Sequence, residues 1–451
     1  MKVIVIGDGK VGKAIVEHTC QEGHEVIIID NDSEVIEELV NQYDVMGICG
    51  NGASYDIQES AGVEKADLVV AATPSDETNI LSGLVAKKLG AKSTIARVRS
   101  YEYSTQTNFL KNDLGITMTI NPEKEAAHEI MKIINFPEAI HVDTFAKGNV
   151  DLVELYLPEN SPLIGHSLSS ILQKYQVKIL VCAVQRNDEV FIPTGSFTFM
   201  PKDKIHITAS KNNVRLFLNK LGLIESKLKT VMIIGGGKIA VYLGEELIKN
   251  KYQVKIIEKD YDRCVELSQI LPNATIINGD GSDQRILEEE GLNDSDAVVC
   301  LTGIDEENII ISMYAYKQNV HKIVTKINKN SLVGLMETLS MVSIISPKEI
   351  TASRIVSYIR AKNNSHGSNV ITLYKLVNNK VEALEFKANS SSKVLDKCLK
   401  NMKFKKEILI AGIIRGGEVI IPSGDDMIKL NDSVIVVTTN QFLDDLDDIL
   451  E

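Results

Sequence analysis

The chain has 451 residues, of which 44% are hydrophobic and 24% charged, and a formal net charge of −12 at pH 7. This is the balance of a globular protein of about three or four domains, and its acidity argues against a nucleic-acid partner, since phosphate-backbone binding draws on basic patches. No apolar run approaches the ~20 residues of a membrane-spanning helix, the N-terminal strand leads straight into a glycine loop with no room for a signal peptide, and the six cysteines are scattered without a Cys-x-x-Cys pair, so a cytoplasmic chain with reduced thiols and no metal centre is expected.

Lys2–Ile6 reads as a short strand entering Gly7-Asp8-Gly9-Lys10-Val11-Gly12, and Val11–Cys20 has helical spacing. Glu25–Ile29 is a second strand that ends at Asp30. Ser33–Asn41 follows as a helix with Ser33 as its expected N-cap. Val45–Cys49, Leu68–Ala72 and Thr94–Val98 complete a set of strands alternating with helices, the pattern of a doubly wound parallel sheet. Asn121-Pro122 then opens a helix with Ala126, Ala127, Ile130, Met131, Ile133 and Ile134 on its apolar stripe. This helix is either an ordinary core element or an arm that crosses onto a neighbouring lobe. Val142–Leu223 changes to short, turn-rich strands, with a hairpin at Asn187-Asp188. Gly222–Thr230, containing Ser226, reads as a linker.

From there the chain repeats itself. Gly235-Gly236-Gly237-Lys238-Ile239-Ala240 stands 228 residues after the first loop, and the offset persists at 228 or 229 through Asp30 and Glu258, Gly50 and Gly279, Thr73 and Thr302, and Gly195 and Gly424. Internal repeats of this kind set the architecture. Val231–Ile234, Val254–Ile257, Thr275–Ile277, Ala297–Leu301 and Ile323–Ile327 form the second parallel sheet. Ser346-Pro347 opens a second such helix, open to the same two readings, with Glu349 completing a capping box, and Val370–Leu450 matches the first strand-rich segment. The expected organisation is a tandem duplication of class α/β. Two Rossmann-like domains, 1–135 and 226–360, are each followed by a small α+β domain, 136–225 and 361–451.

Each loop supplies three small residues with separate tasks. Gly7 and Gly235 allow the turn after the strand, Gly9 and Gly237 let phosphates approach the backbone, and Gly12 and Ala240 let the helix pack on the sheet. The loop from Gly7 to Val11, with Asp8, Gly9 and Lys10, would hold phosphates at a helix N-terminus, as would Gly235, Gly236, Gly237, Lys238 and Ile239. Asp30 and Glu258, each 18 residues after the third small position, would accept ribose hydroxyls; a carboxylate there disfavours a 2′-phosphate, although Lys259 blurs that argument in the second lobe. Gly50-Asn51-Gly52 and Gly279-Asp280-Gly281 end the third strands, where Asn51 and Asp280 would either line an adenine site or form a plain turn. Thr73-Pro74 and Thr302 end the fourth strands, and the following Asp76-Glu77 and Asp305-Glu306 either contact nucleotide or cap the next helix. Arg97 could reach phosphates, and its counterpart is Lys326. No histidine recurs at the repeat offset, so no acid/base group accompanies either site. That favours a nucleotide sensor over an NAD-dependent oxidoreductase, the alternative, or a scaffold with vestigial sites. No catalytic residue is assigned.

The duplicated loops, Ala71–Asn79 with Leu301–Asn308, Ile95-Ala96-Arg97-Val98-Arg99 and the two Arg…Ile-Pro-x-Gly segments resemble the peripheral regulatory subunits of bacterial Trk potassium-uptake systems, built from two RCK (KTN) lobes. The resemblance covers essentially the whole chain. It implies a ring of subunits on the cytoplasmic face of a membrane, gating a potassium-translocating subunit in response to NAD(H) or ATP/ADP. It also implies nucleotide contacts at Gly7–Val11, Asp30, Thr73-Pro74 and Arg97, and at Gly235–Ile239 and Glu258. Asn51 stands where many members carry Asp. A homo-oligomer, a tetramer above all, is expected. Cyclic di-AMP is a further candidate ligand, held by Arg186 and Arg415 if the two small domains face one another; the alternative is that both arginines solvate hairpin edges.

Overall fold

The computed structural model describes residues 1–104, 106–145, 150–187, 189–223, 228–337, 342–363, 370–376, 380–439, 443 and 445–451. Asp188 of the expected hairpin, and Ser226 with the 225/226 boundary, lie outside the described residues.

Strands β1 (Lys2–Ile6), β2 (Glu25–Asp30), β3 (Met46–Cys49), β4 (Leu68–Ala71), β5 (Ser93–Arg97) and β6 (Met118–Ile120) form a parallel sheet in the order β3-β2-β1-β4-β5-β6. The inner strands are near-continuous runs of Val and Ile because helices cover both faces; Val3, Ile4, Val5, Ile28 and Ile29 are fully buried. Around the sheet lie α1 (Lys10–Gln21), α2 (Ser33–Gln42), α3 (Tyr55–Ser60), α4 (Asp76–Leu89), α5 (Tyr101–Ser104), α6 (Thr107–Asn112) and α7 (Pro122–Asn135). The strand order reverses between β1 and β4, and the carboxyl ends at that point form the crevice where doubly wound sheets bind ligands. The N-cap of α2 is Asp32 rather than Ser33: the Asp32 carboxylate accepts the N–H groups of Glu34 and Val35, one residue ahead of the expected cap.

Next come β7 (Ala139–Phe145), β8 (Val150–Tyr156), α8 (Leu168–Tyr175), β9 (Leu180–Arg186), β10 (Glu189–Phe191), β11 (Lys204–Ser210) and α9 (Lys211–Lys220), whose strands pair antiparallel as β10-β9-β11-β8-β7. The second parallel sheet repeats the first as β14-β13-β12-β15-β16-β17, from β12 (Thr230–Ile234), α10 (Lys238–Lys249), β13 (Gln253–Glu258), α11 (Tyr261–Ile270), β14 (Thr275–Asn278), α12 (Gln284–Glu289), β15 (Ala297–Cys300), α13 (Asp305–Lys317), β16 (Lys322–Lys326), α14 (Asn330–Glu337) and β17 (Val342–Ile345). After α15 (Pro347–Asn363), the strands β18 (Val370–Leu376), β19 (Val381–Lys387), β20 (Ile408–Arg415), β21 (Glu418–Ile420) and β22 (Ser433–Thr438) form the sheet β18-β19-β22-β20-β21. Phe145, Val150, Leu152, Cys182 and Ala183 share one core with Val381, Ala383, Ala411, Ile435 and Val437, so the two small sheets meet through apolar side chains.

The chain forms two compact units, one of Met1–His128 with Ile345–Ile359, the other of Glu129–Ile344 with Arg360–Glu451. Residues 345–359, placed by sequence at the end of the second nucleotide domain, therefore belong to the first unit. Ala352, Ile355 and Ile359 of α15 are buried in the core built by Val3, Val5, Ile15, Val26 and Ile28, and Glu349 pairs with His18 at 2.7 Å. Of the two readings open for this helix, the crossing arm is the one realised. Arg354 on α15 also pairs with Glu125 on α7. The capping box expected at Ser346 is incomplete, since the buried Ser346 hydroxyl has no hydrogen-bond partner. In the second unit the end of α7 docks through Asn135, whose Oδ1 accepts the Tyr252 hydroxyl at 3.4 Å, and Ser343 donates to the Ile140 carbonyl at 2.6 Å.

Candidate nucleotide sites

Both glycine loops follow their strand with a left-handed turn: Gly7 has φ +94° and Gly235 has φ +98°. A Cβ on Gly7 would sit 2.8 Å from the Thr73 nitrogen, and one on Gly12 would sit 1.9 Å from the Gly7 carbonyl oxygen. These two glycines are demanded by the fold. Gly9 and Gly237 are different. Each is the N-cap of its helix, at ordinary φ of −65° and −68° and with no side-chain cap, and a Cβ on either would meet nothing within 4 Å. The glycine leaves an open cradle in front of the first-turn N–H groups, where anion charge is favoured. That open space fits a phosphate group. Lys10 and Lys238 open the two helices and are exposed, while Val11 and Ile239 are buried in the cores and can offer only their N–H groups.

The acids sit where the spacing places them. Asp30 Oδ2 accepts the Asp8 N–H at 2.7 Å and its Oδ1 accepts the Asp32 N–H at 3.0 Å. Glu258 does the same for Gly236 at 2.6 Å and Asp260 at 2.8 Å. The N–H groups of Asp8 and Gly236 are thus turned to these carboxylates, which corrects the expectation that both residues point donors at phosphate. Their role is to tie the loop to the acid. In the second lobe the Gly236 carbonyl also accepts Arg263 Nε at 2.8 Å. The Asp8 carboxyl, half-buried with an unpartnered Oδ1, is pushed up to about 7 by burial, with Lys13 opposing and Asp30 adding.

A cleft of about 400 Å³ at the carboxyl edge of the first sheet brings together Gly7, Asp30, Asn51, Thr73 and Pro74 of the expected set, together with Gly52. Asn51 Oδ1 accepts the Ala53 N–H at 2.9 Å. Its counterpart Asp280 accepts both the N–H and the hydroxyl of Ser282 and pairs with Lys259 at 3.0 Å. These contacts, the Ser282 hydroxyl foremost, hold Asp280 down to about 2. Arg97 does not line the cleft, but its guanidinium reaches the Ala72 carbonyl at 3.4 Å, and its Nε is buried with no hydrogen-bond partner. That unspent donor beside Thr73 fits an anion. Lys326 instead donates to the Thr302 carbonyl at 2.6 Å.

Of the flanking acids, Asp76 and Asp305 have a third role, neither nucleotide contact nor capping. Asp76 accepts the N–H groups of Arg99 and Ser100 at 2.7–3.0 Å, and Asp305 those of Asn328 and Lys329 at 2.8 and 2.9 Å. Each buried carboxylate pins the loop after the fifth strand, while Ser75 caps α4. Sequence reasoning left Asn79 and Asn308 without a role. Both are fully buried, and each clamps the ends of the fourth and fifth strands through Thr73 and Arg97 or through Thr302 and Lys326. Their recurrence within the repeated segment was the available signal.

The arginines of the small domains are committed at home. Arg186 grips the buried Asp203 with Nε and an NH2 group, both at 2.8 Å, and donates to the Thr198 carbonyl. Arg415 grips Asp432 at 3.0 and 2.8 Å and donates to the Met427 carbonyl. Each guanidinium is thus engaged by a buried carboxylate of its own small domain, which matches neither a shared ligand nor simple solvation of a hairpin edge.

The TrkA-N domain model matches residues 3–122 and 231–347, and the TrkA-C domain model matches residues 152–222 and 383–451. The chain belongs to the TrkA family. It is 30% identical to the Trk system potassium uptake protein TrkA of Vibrio alginolyticus over 445 residues, covering 98% of this chain and 96% of that one. It is 31% identical to a TrkA homolog of Archaeoglobus fulgidus over 436 residues, 97% of both chains. Among solved structures, the fold matches the GsuK channel with a TM-score of 0.65 at 14% identity, over 98% of this chain and 77% of that one. It matches the same channel bound to NAD at 0.63 and bound to ADP at 0.53, at 14% and 12% identity. Among the described residues no helix is long and apolar enough to cross a membrane, and no cluster of metal-ligating side chains occurs.

Proposed function

We propose that this TrkA-family chain is a nucleotide-sensing regulatory subunit. It binds NAD(H) or ATP/ADP at its two glycine loops and gates a membrane potassium-translocating subunit from the cytoplasmic side. The observation that carries this reading is the duplicated cradle: Gly9 and Gly237 each open space before a helix N-terminus, and Asp30 and Glu258 each stand beside the loop. Similarity to Trk system potassium uptake proteins over nearly the full length supports the potassium partner. The NAD-bound and ADP-bound states of the GsuK fold support the ligand class. The proposed site residues are those of the first-lobe cleft with Gly9, Lys10 and Arg97, and Gly237, Lys238, Glu258 and Thr302 in the second lobe. We assign no hydride-transfer chemistry, because no histidine recurs at the repeat offset beside the loops. Cyclic di-AMP at the small domains would need groups other than Arg186 and Arg415. The domain division keeps boundaries near 135, 225 and 360, with α15 as an exchanged arm, and assembly into a tetramer would place the lobes in a closed ring.

Thermal unfolding with NAD, NADH, ATP and ADP tests the reading. A ligand at about 100 times its Kd stabilises by ~2.7 kcal/mol. A raised melting temperature with at least one of the four is expected, together with no loss of NADH absorbance on incubation. No shift with any of them would remove the nucleotide assignment.

A further inference from the structure

At the opposite edge of the second nucleotide domain from its glycine loop, a cleft of about 520 Å³ lies where α7 ends. Its walls include Asn135 at the end of α7, Phe136 and Glu138 just after it, Lys211 and Arg215 on α9, and Tyr252 just before β13. Tyr252 precedes β13, whereas Gly235 follows β12, so the cleft and the loop lie at the amino and carboxyl edges of one parallel sheet.

The chemistry of the walls is cationic and aromatic. Lys211 is the first residue of α9 and Arg215 stands one turn later, so the two share a helix face. Lys211 Nζ lies 5.9 Å from the centre of the Phe136 ring and the Arg215 guanidinium carbon 5.7 Å from it. Among the described residues neither cation has a hydrogen-bond or ion-pair partner. The Ser210 side chain does not cap α9, leaving first-turn N–H groups of a ten-residue helix beside Lys211. The acids nearby oppose an anion only in part. Burial pushes Glu138 up, with His321, Lys322 and Arg215 opposing. Asp151, buried behind the cations, is raised to about 6 by burial, with Lys211, Lys132 and Arg215 opposing, and so offsets one positive charge near neutral pH. Lys132 is already paired with Glu129 at 2.7 Å. Lys211 and Arg215 are both exposed, and the cleft volume lies in the usual range of ~300–1,000 Å³ for small-ligand pockets.

We propose that this cleft is a separate effector site for a small organic phosphate. Lys211, Arg215 and the first turn of α9 take the phosphate, and Phe136 and Tyr252 take the organic body. Arg215 supplies the planar fork that matches phosphate oxygens, and Lys211 a point charge. The walls come from the end of α7, from α9 and from the second nucleotide domain, so occupancy would tie these three segments together.

The test is calorimetric titration of the full chain with phenyl phosphate and, separately, with inorganic phosphate. Wild type, Lys211→Ala, Arg215→Ala, Arg215→Lys and a double loop variant, Gly9→Val with Gly237→Val, are compared. The double loop variant is expected to keep one phenyl phosphate site per chain, tighter than for inorganic phosphate, and this site should lose at least ~10-fold in affinity in each alanine variant. Arg215→Lys should fall between at this site. Both cations are exposed, so the variants should melt as wild type does. Failure of the glycine-loop reading would show as absent NAD binding with phenyl phosphate binding intact. The proposal is overturned if no saturable binding occurs up to roughly 10 mM, or if binding survives both alanine substitutions and falls only in the loop variant.

Discussion

Replacing Gly9 by valine separates what the loop does for the fold from what it does for a ligand. A Cβ at Gly9 meets nothing within 4 Å, and its φ of −65° suits any L-residue. The substitution trades a Gly N-cap for a poorer one, a loss of several tenths of a kcal/mol. The entropy taken from the unfolded chain returns ~0.4–1 kcal/mol, so stability should hold within ~1 kcal/mol. The valine methyl groups, however, enter the open space before the first turn of α1. Phosphate would be displaced from at least two charge-assisted hydrogen bonds at ~1.5–3 kcal/mol each, a loss of well over 100-fold. Gly237→Val should act likewise on the second lobe. In calorimetric titrations with NAD and ADP, each single variant should lose one of two sites, and the double variant both, with melting temperatures kept within a few degrees. Gly7→Ala is the contrasting control, because its Cβ collides with backbone at 2.8 Å at φ +94°, and it should lower the melting temperature as well. Unchanged nucleotide affinity in the double valine variant would refute the cradle.

Asp30→Ala should weaken first-lobe binding by ~1.5–3 kcal/mol, the scale of a hydrogen bond to a charged group, and unlike Gly9→Val it should also lower stability, because the Asp8 and Asp32 N–H groups lose their acceptor; titration and melting on the same samples check both. Asp8 titrates near 3.8 when unfolded and about 7 when folded. Between those values only the folded state holds the proton, so this group makes stability fall as pH rises. Asp8→Asn should therefore raise the melting temperature at pH 8 and leave it nearly unchanged at pH 4. Ile355→Ala should destabilise the first unit by ~2–5 kcal/mol, the cost of a large-to-small change in a core; denaturant unfolding followed by a probe in residues 1–128 would show it, and no effect there would contradict the exchanged arm.

The sequence carried the parallel sheets and both loops because their signals are local. A β-branched run, three small residues and an acid at fixed spacing each have one physical reading, and duplication multiplies their weight. The destination of α15 was not legible, because an apolar stripe of Ala352, Ile355 and Ile359 does not say which core it fills. The same holds for Asp76. An acid after a strand and before a helix reads as a cap, and only the folded loop brings the Arg99 and Ser100 N–H groups to it. Arg186 and Asp203 lie 17 residues apart, as do Arg415 and Asp432. That repeated spacing marked an ion pair, yet an arginine on a hairpin reads as available until its carboxylate is seen. The tie between Asp8 and Asp30 was hidden for a related reason: the spacing brings the acid to the loop but leaves open whether it faces ribose or backbone.

In the proposed function, nucleotide at the glycine loops controls potassium movement. Potassium uptake should be measured in vesicles carrying the cognate membrane subunit, with the full chain added and NAD, NADH, ATP and ADP varied in turn. Uptake should change with at least one nucleotide when the wild-type chain is present, and that response should vanish with the chain carrying Gly9→Val and Gly237→Val. An equal nucleotide response with the double variant, or none with the wild type under conditions where it binds both nucleotide and the vesicles, would contradict control through the glycine loops.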